Sequence, residues 1–123
     1  MVRGTKNLRV VAGTVGGQRL TVPETVRPTT DRVRESVFGA LGPSRFDGAV
    51  VLDAYAGSGA LAIEALSRGA ARAVLVERSP VAVAAIRRNL DRTGLTGRAR
   101  VFAGPVARAL RRSPPPEAPF DLA

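Results

Sequence analysis

Apolar and polar positions change their period along this 123-residue chain, and each change marks an element. Residues 8–22, LRVVAGTVGGQRLTV, read as two short β segments around a glycine-containing turn. Pro23 and Pro28 punctuate the next segment. Residues 31–41, DRVRESVFGAL, predict a helix with Thr30 or Asp31 as N-cap. At about 100° per residue, Val33, Val37, Phe38 and Leu41 share one face of it. Arg34 falls inside that apolar arc. A cation there snorkels past the core, pairs with an acid, or reaches a ligand, and spacing alone leaves the three open.

After Gly42-Pro43 the pattern alternates between β and α. A strand over Ala49–Asp53 leads through a glycine loop to a helix over Gly59–Arg68. Within that helix Glu64 and Arg68 are spaced as an i,i+4 pair, and Gly69 suits the C′ position. A strand over Ala73–Glu77 comes after it. Ser79 then serves as N-cap, with Pro80 at the first position of a helix that reaches about Arg92 and ends at Gly94. A strand over Ala99–Ala103 and a short helix over Val106–Arg112 come next. SPPPEAP reads as a linker, and Phe120–Ala123 as the start of a fourth strand. Strands alternating with helices predict a parallel sheet with right-handed crossovers. The chain divides into residues 1–45, hairpin plus helix, and 46–123, a partial α/β domain.

Composition narrows the chemistry. Without cysteine there is no disulfide and no thiolate metal site, and without histidine no Ser-His triad and no His-metal site. No metal site is expected. No run approaches the roughly 18 apolar residues of a membrane span, and the N-terminus has no signal-peptide core, so a cytoplasmic protein without membrane contact is expected. The net charge is +9. Residues 1–50 carry eight Lys/Arg and four Asp/Glu, and the remainder eleven and six, so the excess is spread along the chain. Arginine-rich coding trades Lys for Arg but does not create net charge. A polyanion such as nucleic acid is the partner this balance favours.

The most informative stretch is Val50–Ala70, VVLDAYAGSGALAIEALSRGA. Gly57 and Gly59 lack the Cβ that would hold a backbone away from a ligand. Gly57-Ser58-Gly59-Ala60-Leu61-Ala62 satisfies G-x-G-x-x-G/A, and Glu77, 18 residues after Gly59, is placed to accept hydrogen bonds from two ribose hydroxyls. A dinucleotide and S-adenosylmethionine both fit so far. Asp53, four residues before Gly57, favours the second. A pyrophosphate at the loop would be repelled by that carboxylate, whereas the ammonium and sulfonium of a methionyl group would be attracted.

These residues resemble a known family. Asp53-Ala54-Tyr55-Ala56-Gly57-Ser58-Gly59 with Ile63–Ala70 is similar to motif I of the RsmD family, bacterial 16S rRNA guanine-N2 methyltransferases. Arg27-Pro28-Thr29-Thr30-Asp31-Arg32-Val33-Arg34-Glu35-Ser36-Val37-Phe38 resembles that family's second signature, and residues 8–22 its N-terminal hairpin. The resemblance implies a Rossmann-like class I S-adenosylmethionine-dependent methyltransferase fold, of which this chain holds the first half, preceded by a β-hairpin and helix. It implies that Asp53, Ala56, Gly57, Ser58 and Gly59 surround the methionyl part of S-adenosylmethionine. Glu77, with Arg78 beside it, would bind the ribose. Thr29, Thr30, Asp31 and Arg34 would lie at the entrance, Arg34 facing the ligand. Arg9, Arg19, Arg27 and Arg32 would contact RNA phosphates. The implied partner is 16S rRNA in a 30S assembly intermediate, met by a monomer.

The sequence departs from the pattern in two places. Ala103-Gly104-Pro105-Val106 offers no acid to the adenine, leaving the N–H of Gly104 or Val106 for that contact, since Pro105 has none. The Asp/Asn-Pro-Pro-aromatic motif that holds a target amine is not in the chain and is expected after Ala123; the chain alone is not expected to methylate RNA. Two other function classes stand beside this one: an NAD-type half-domain of an oxidoreductase, and a basic RNA-binding module without catalysis.

Overall fold

The computed structural model describes residues 8–26 and 46–112 and, between them, Arg34, Ser36, Phe38, Gly39 and Ala40. Strand β1 (Leu8–Arg9) pairs antiparallel with β2 (Arg19–Leu20), in register Leu8↔Leu20 and Arg9↔Arg19. The alternation works as a hairpin should: Leu8, Val10, Leu20 and Val22 are buried, while Arg9 and Arg19 are exposed. Arg34, Ser36, Phe38, Gly39 and Ala40 are helical and belong to α1. The rest of the helix expected over 31–41, the SPPPEAP linker and the strand expected at Phe120–Ala123 lie outside the described residues.

Strands β3 (Val50–Asp53), β4 (Arg72–Glu77) and β5 (Ala99–Ala103) form a parallel sheet in the order β3-β4-β5. Helices α2 (Ala60–Ser67) and α3 (Pro80–Thr93) make the crossovers, and α4 (Val106–Arg112) comes after β5. β4 runs between its two neighbours, and Ala73 to Val76 are all buried, as a strand covered on both faces requires. The hydrophobic pattern does not foreshadow the one-turn 3-10 helix Thr96–Arg98.

The helix ends are set by their capping residues. The Ser79 hydroxyl accepts the Ala82 N–H at 3.3 Å, with Pro80 at the first turn. At the end of α2, Gly69 (φ +118°) donates to Leu66 O and Ala70 to Ala65 O. At the end of α3, Gly94 (φ +73°) donates to Asp91 O and Leu95 to Leu90 O. Both pairs of bonds are Schellman closures, and Leu95 buries itself against the same core as Leu90.

One core holds the hairpin to the sheet. Leu8, Val10, Leu20 and Val22 pack in the same cluster as Ile63, Leu66, Leu75, Ile86 and Leu90. Phe38 of α1 lies 4.7 Å from Phe46, centroid to centroid, and the Arg68 guanidinium stands 4.9 Å over the Phe38 ring. Each such cation–π contact contributes about 0.5–1 kcal/mol where water still reaches it.

Candidate functional site

The carboxyl ends of the sheet strands are where an open α/β fold binds ligands. Here β3 ends at Asp53 and β4 at Glu77, on adjacent strands. Asp53 is half-buried, and its Oδ2, itself out of contact with solvent, has no hydrogen-bond partner among the described residues. Burial pushes its pKa from 3.8 up to about 6; a hydrogen bond from the Tyr55 backbone partly offsets this, and the nearby Glu77 charge adds to it. An acid with an unmet buried oxygen invites a cationic or hydrogen-bond-donating group.

Glu77 holds the glycine loop. Its Oε1 accepts the Gly57 N–H at 2.8 Å and its Oε2 the Ser79 N–H at 2.9 Å. Gly57 (φ +58°) and Gly59 (φ +85°) both lie in the left-handed region. A Cβ on Gly59 would also press on Leu75 at 3.3 Å and Ile86 at 3.4 Å. The loop is fixed further by Ala56 N–H to Val76 O (3.0 Å) and Gly59 N–H to Ala56 O (2.8 Å). Each carboxylate oxygen of Glu77 keeps a lone pair for a further donor.

A cavity of about 240 Å³ opens beside this loop. Ala54 and Tyr55 line it from the β3–α2 loop, Val76, Glu77 and Arg78 from the end of β4, and Gly104 to Ala107 from the β5–α4 connection. Tyr55 is the most exposed large hydrophobic side chain among the described residues, at 83%.

Of the expected cofactor residues, Glu77 and Arg78 line the cavity; Asp53 ends β3, and Gly57, Ser58 and Gly59 lie in the loop that leaves it, with Ala56 buried. Ser58 is buried, and it is its carbonyl that is engaged, by Asn89. The Gly104 N–H is spent on Glu77 O at 2.9 Å, so of the two amides considered for an adenine only Val106 stays a candidate. Arg9 and Arg19 sit opposite each other on the hairpin. Arg27, Thr29, Thr30, Asp31 and Arg32 lie outside the described residues.

Arg34 is a correction. It is 0% exposed, its Nη1 donates to Glu64 Oε1 at 3.0 Å and its Nη2 to the Arg9 carbonyl at 2.6 Å. Of the readings spacing leaves open, pairing with an acid is the one realised, and the ligand-facing role gives way. A guanidinium under the core needs a carboxylate and hydrogen-bond acceptors, and Glu64 with the Arg9 carbonyl supplies them.

Two buried polar residues are not marked as such by the sequence. Glu64 accepts from Val11 N (2.8 Å), Ala12 N (3.0 Å), Arg34 Nη1 (3.0 Å) and Arg68 Nε (2.9 Å). Its local partner Arg68 is legible as an i,i+4 pair; the others come from the hairpin and α1. Asn89 accepts the Thr21 N–H at 2.7 Å and donates to Thr21 O and Ser58 O, both at 2.9 Å. The signal for it is a polar residue within the buried stripe Ala82, Val83, Ala85, Ile86, Leu90 of α3.

The family model "Conserved hypothetical protein 95" matches residues 8–123. The chain is 46% identical over 100 residues to ribosomal RNA small subunit methyltransferase D of Escherichia coli, covering 80% of this chain and 50% of that protein. Among solved structures, yhhF from Escherichia coli superposes with a TM-score of 0.76 at 40% identity, covering 86% of this chain and 57% of that one. The C-terminal domain of precorrin-6Y C5,15-methyltransferase from Rhodobacter capsulatus superposes with a TM-score of 0.63 at 30% identity, covering 72% and 46%. The fold is that of the class I methyltransferases. The chain spans about half the length of the relatives it matches.

Proposed function

As the chain belongs to the Conserved hypothetical protein 95 family, the RsmD family of rRNA methyltransferases, we propose that it forms the cofactor-holding part of an S-adenosylmethionine-dependent enzyme that methylates the exocyclic N2 amine of a guanine in 16S rRNA. The observation that carries the cofactor assignment is the Asp53 carboxylate at the glycine loop, whose buried Oδ2 has no partner among the described residues. An ammonium would satisfy it, whereas a dinucleotide pyrophosphate at the same loop would meet its charge. The residues present therefore fit S-adenosylmethionine.

In this reading Asp53 and the Gly57–Gly59 backbone seat the methionyl end. Glu77, already oriented by two backbone donors, offers its remaining lone pairs to the ribose hydroxyls. Arg78 and the Pro105–Ala107 segment border the space beyond it. When bound, the cofactor supplies an electrophilic methyl group on a sulfonium. The protein's task is then to hold the amine in line with it. The partner in this reading is 16S rRNA in a 30S assembly intermediate, met in the cytoplasm by a monomer. Among the described residues no helix is long and apolar enough to cross a membrane.

Calorimetric titration of the chain with S-adenosylhomocysteine and, separately, with NADH tests the assignment. S-adenosylhomocysteine binds and NADH does not. Binding of NADH with no response to S-adenosylhomocysteine would return the loop to the dinucleotide class.

A further inference from the structure

The glycine loop and the basic hairpin are far apart in sequence, yet one side chain holds both. Asn89 is wholly buried in α3 and uses its amide in both directions. Toward the hairpin it takes both main-chain groups of Thr21, the residue after β2, accepting the N–H at 2.7 Å and donating to the carbonyl at 2.9 Å. Toward the loop its Nδ2 donates to the Ser58 carbonyl at 2.9 Å. Ser58 is the single residue between two glycines of positive φ, Gly57 and Gly59. The peptide joining Ser58 to Gly59 is held from within the loop by the Gly59 N–H on Ala56 O at 2.8 Å and from outside it by Asn89 on the Ser58 carbonyl, a second hold that glycines on both sides make consequential. The Gly57 amide is gripped by Glu77, and the Ser58 carbonyl by Asn89.

The other hairpin strand is tied in parallel. The carbonyl of Arg9 accepts from Arg34, which also donates to Glu64 on α2, the helix that the glycine loop opens into. The exposed Arg9 and Arg19 side chains thus ride on a hairpin whose two strands are each anchored to the cofactor loop or its helix by a buried polar side chain.

Resting on the function proposed above, we infer that Asn89 is a positioning residue that makes cofactor affinity depend on how the basic hairpin is seated, so that RNA held by the hairpin tightens cofactor binding. Clamping the hairpin fixes Thr21, Thr21 fixes the Asn89 amide, and the amide fixes the Ser58 peptide before the cofactor arrives. A second ligand that meets an already ordered site gives up less conformational freedom on binding. Coupling of this kind is reciprocal: cofactor tightens RNA binding by the same factor.

The test titrates S-adenosylhomocysteine into the chain with and without a saturating RNA stem-loop of about 30 nucleotides, for the unaltered protein, for Asn89→Ala and for Leu95→Ala. Leu95 is a core residue beyond the end of α3 and serves as a control for lost stability. In the unaltered protein the RNA raises S-adenosylhomocysteine affinity by about fivefold or more. Asn89→Ala abolishes that gain and weakens S-adenosylhomocysteine more than Leu95→Ala does when both are measured well below their melting temperatures. Equal affinity with and without RNA in a protein that binds both ligands would overturn the inference, and that arm decides even if Asn89→Ala does not fold. A protein that binds neither ligand would overturn the proposed function itself, a result distinct from independent binding.

Discussion

Oε1 of Glu77 accepts the Gly57 N–H at 2.8 Å, so the acid at the end of one strand shapes the loop that leaves its neighbour. The same carboxylate holds Ser79, the N-cap of α3. It is therefore both a wall of the cavity and the brace of the loop.

Glu77→Ala removes the brace and, in the proposed site, the ribose acceptor together. A hydrogen bond to a charged group contributes about 1.5–3 kcal/mol, so S-adenosylhomocysteine affinity falls by about ten- to a hundredfold. Glu77→Gln keeps one acceptor oxygen and turns an NH2 group toward a backbone donor; its loss lies between the two. Calorimetry on the three proteins checks the order, and equal affinities would remove Glu77 from the site.

Asp53 ties stability to pH. Its pKa is raised from 3.8 to about 6, so the native state binds more protons than the unfolded state between those values. The stability this contributes is fully present below pH 3.8 and is lost as pH rises through about 6. The span corresponds to about 3 kcal/mol. Asp53→Asn therefore stabilises the chain against urea at pH 8 by up to about 3 kcal/mol. The gain is small at pH 4. The same substitution weakens S-adenosylhomocysteine at pH 8, since an amide has no charge for the ammonium. A variant equally stable at both pH values and unchanged in ligand affinity would contradict both statements.

How much of the fold and site is legible in the sequence depends on how local the cause is. The β3–α2 turn, the Ser79-Pro80 cap, Gly69 and Gly94 are written in neighbouring residues, and the elements lie within one or two positions of their expected bounds. The Glu64–Arg68 pair is equally local. Glu64's other partners are not: Val11 and Ala12 lie 53 and 52 residues away and Arg34 lies 30 away. No period or spacing encodes that a hairpin amide and a helix arginine meet on one carboxylate. The motif around Arg34 suggests an entrance and so a ligand-facing side chain, and only packing shows that it turns inward. Asn89 is hidden for the opposite reason, a polar residue in an apolar stripe whose partners come from two distant loops.

Glu64→Gln tests the buried hub. The amide retains one acceptor but faces donors with its NH2 group, and it removes the charged partner that lies 3.0 Å from Arg34 Nη1. Removing one member of a buried ion pair costs about 3–5 kcal/mol. The urea midpoint should fall accordingly with an unchanged slope. A loss below about 1 kcal/mol, the range of exposed pairs, would mean that Arg34 is satisfied without Glu64.

The hairpin docks through Gly13. Its φ is +88°, and a Cβ there would lie 1.9 Å from the Ser67 carbonyl oxygen, a backbone atom that cannot step aside. Thr14 N–H donates to that same oxygen at 2.7 Å, and the Ser67 hydroxyl donates to Ala12 O at 2.5 Å. Gly17 is the natural comparison: φ is +86°, but nothing lies within 4 Å of its Cβ position. Gly17→Ala therefore costs only the left-handed penalty, about 1–2 kcal/mol. Gly13→Ala incurs that and loses the docked loop, so its melting temperature falls further and limited proteolysis cuts first within residues 11–18. Equal losses for the two variants would mean that the loop is not seated on α2.

Arg9 and Arg19 face each other across the β1–β2 pair, both exposed. Like charges directly opposite on a strand pair destabilise it, and a bound phosphate would relieve that repulsion. Replacing either side chain leaves the Arg9 carbonyl, and so its bond from Arg34, in place. Arg9→Ala and Arg19→Ala should therefore melt no lower than the unaltered chain. In RNA binding each loses phosphate contact, which lowers affinity regardless of sequence and reduces the slope of log affinity against log salt by about 1 per side chain. The double variant shows a slope reduced by about 2. Filter binding from about 50 to about 300 mM salt reads this directly; slopes unchanged in all three variants would place the RNA contact on other arginines of the chain.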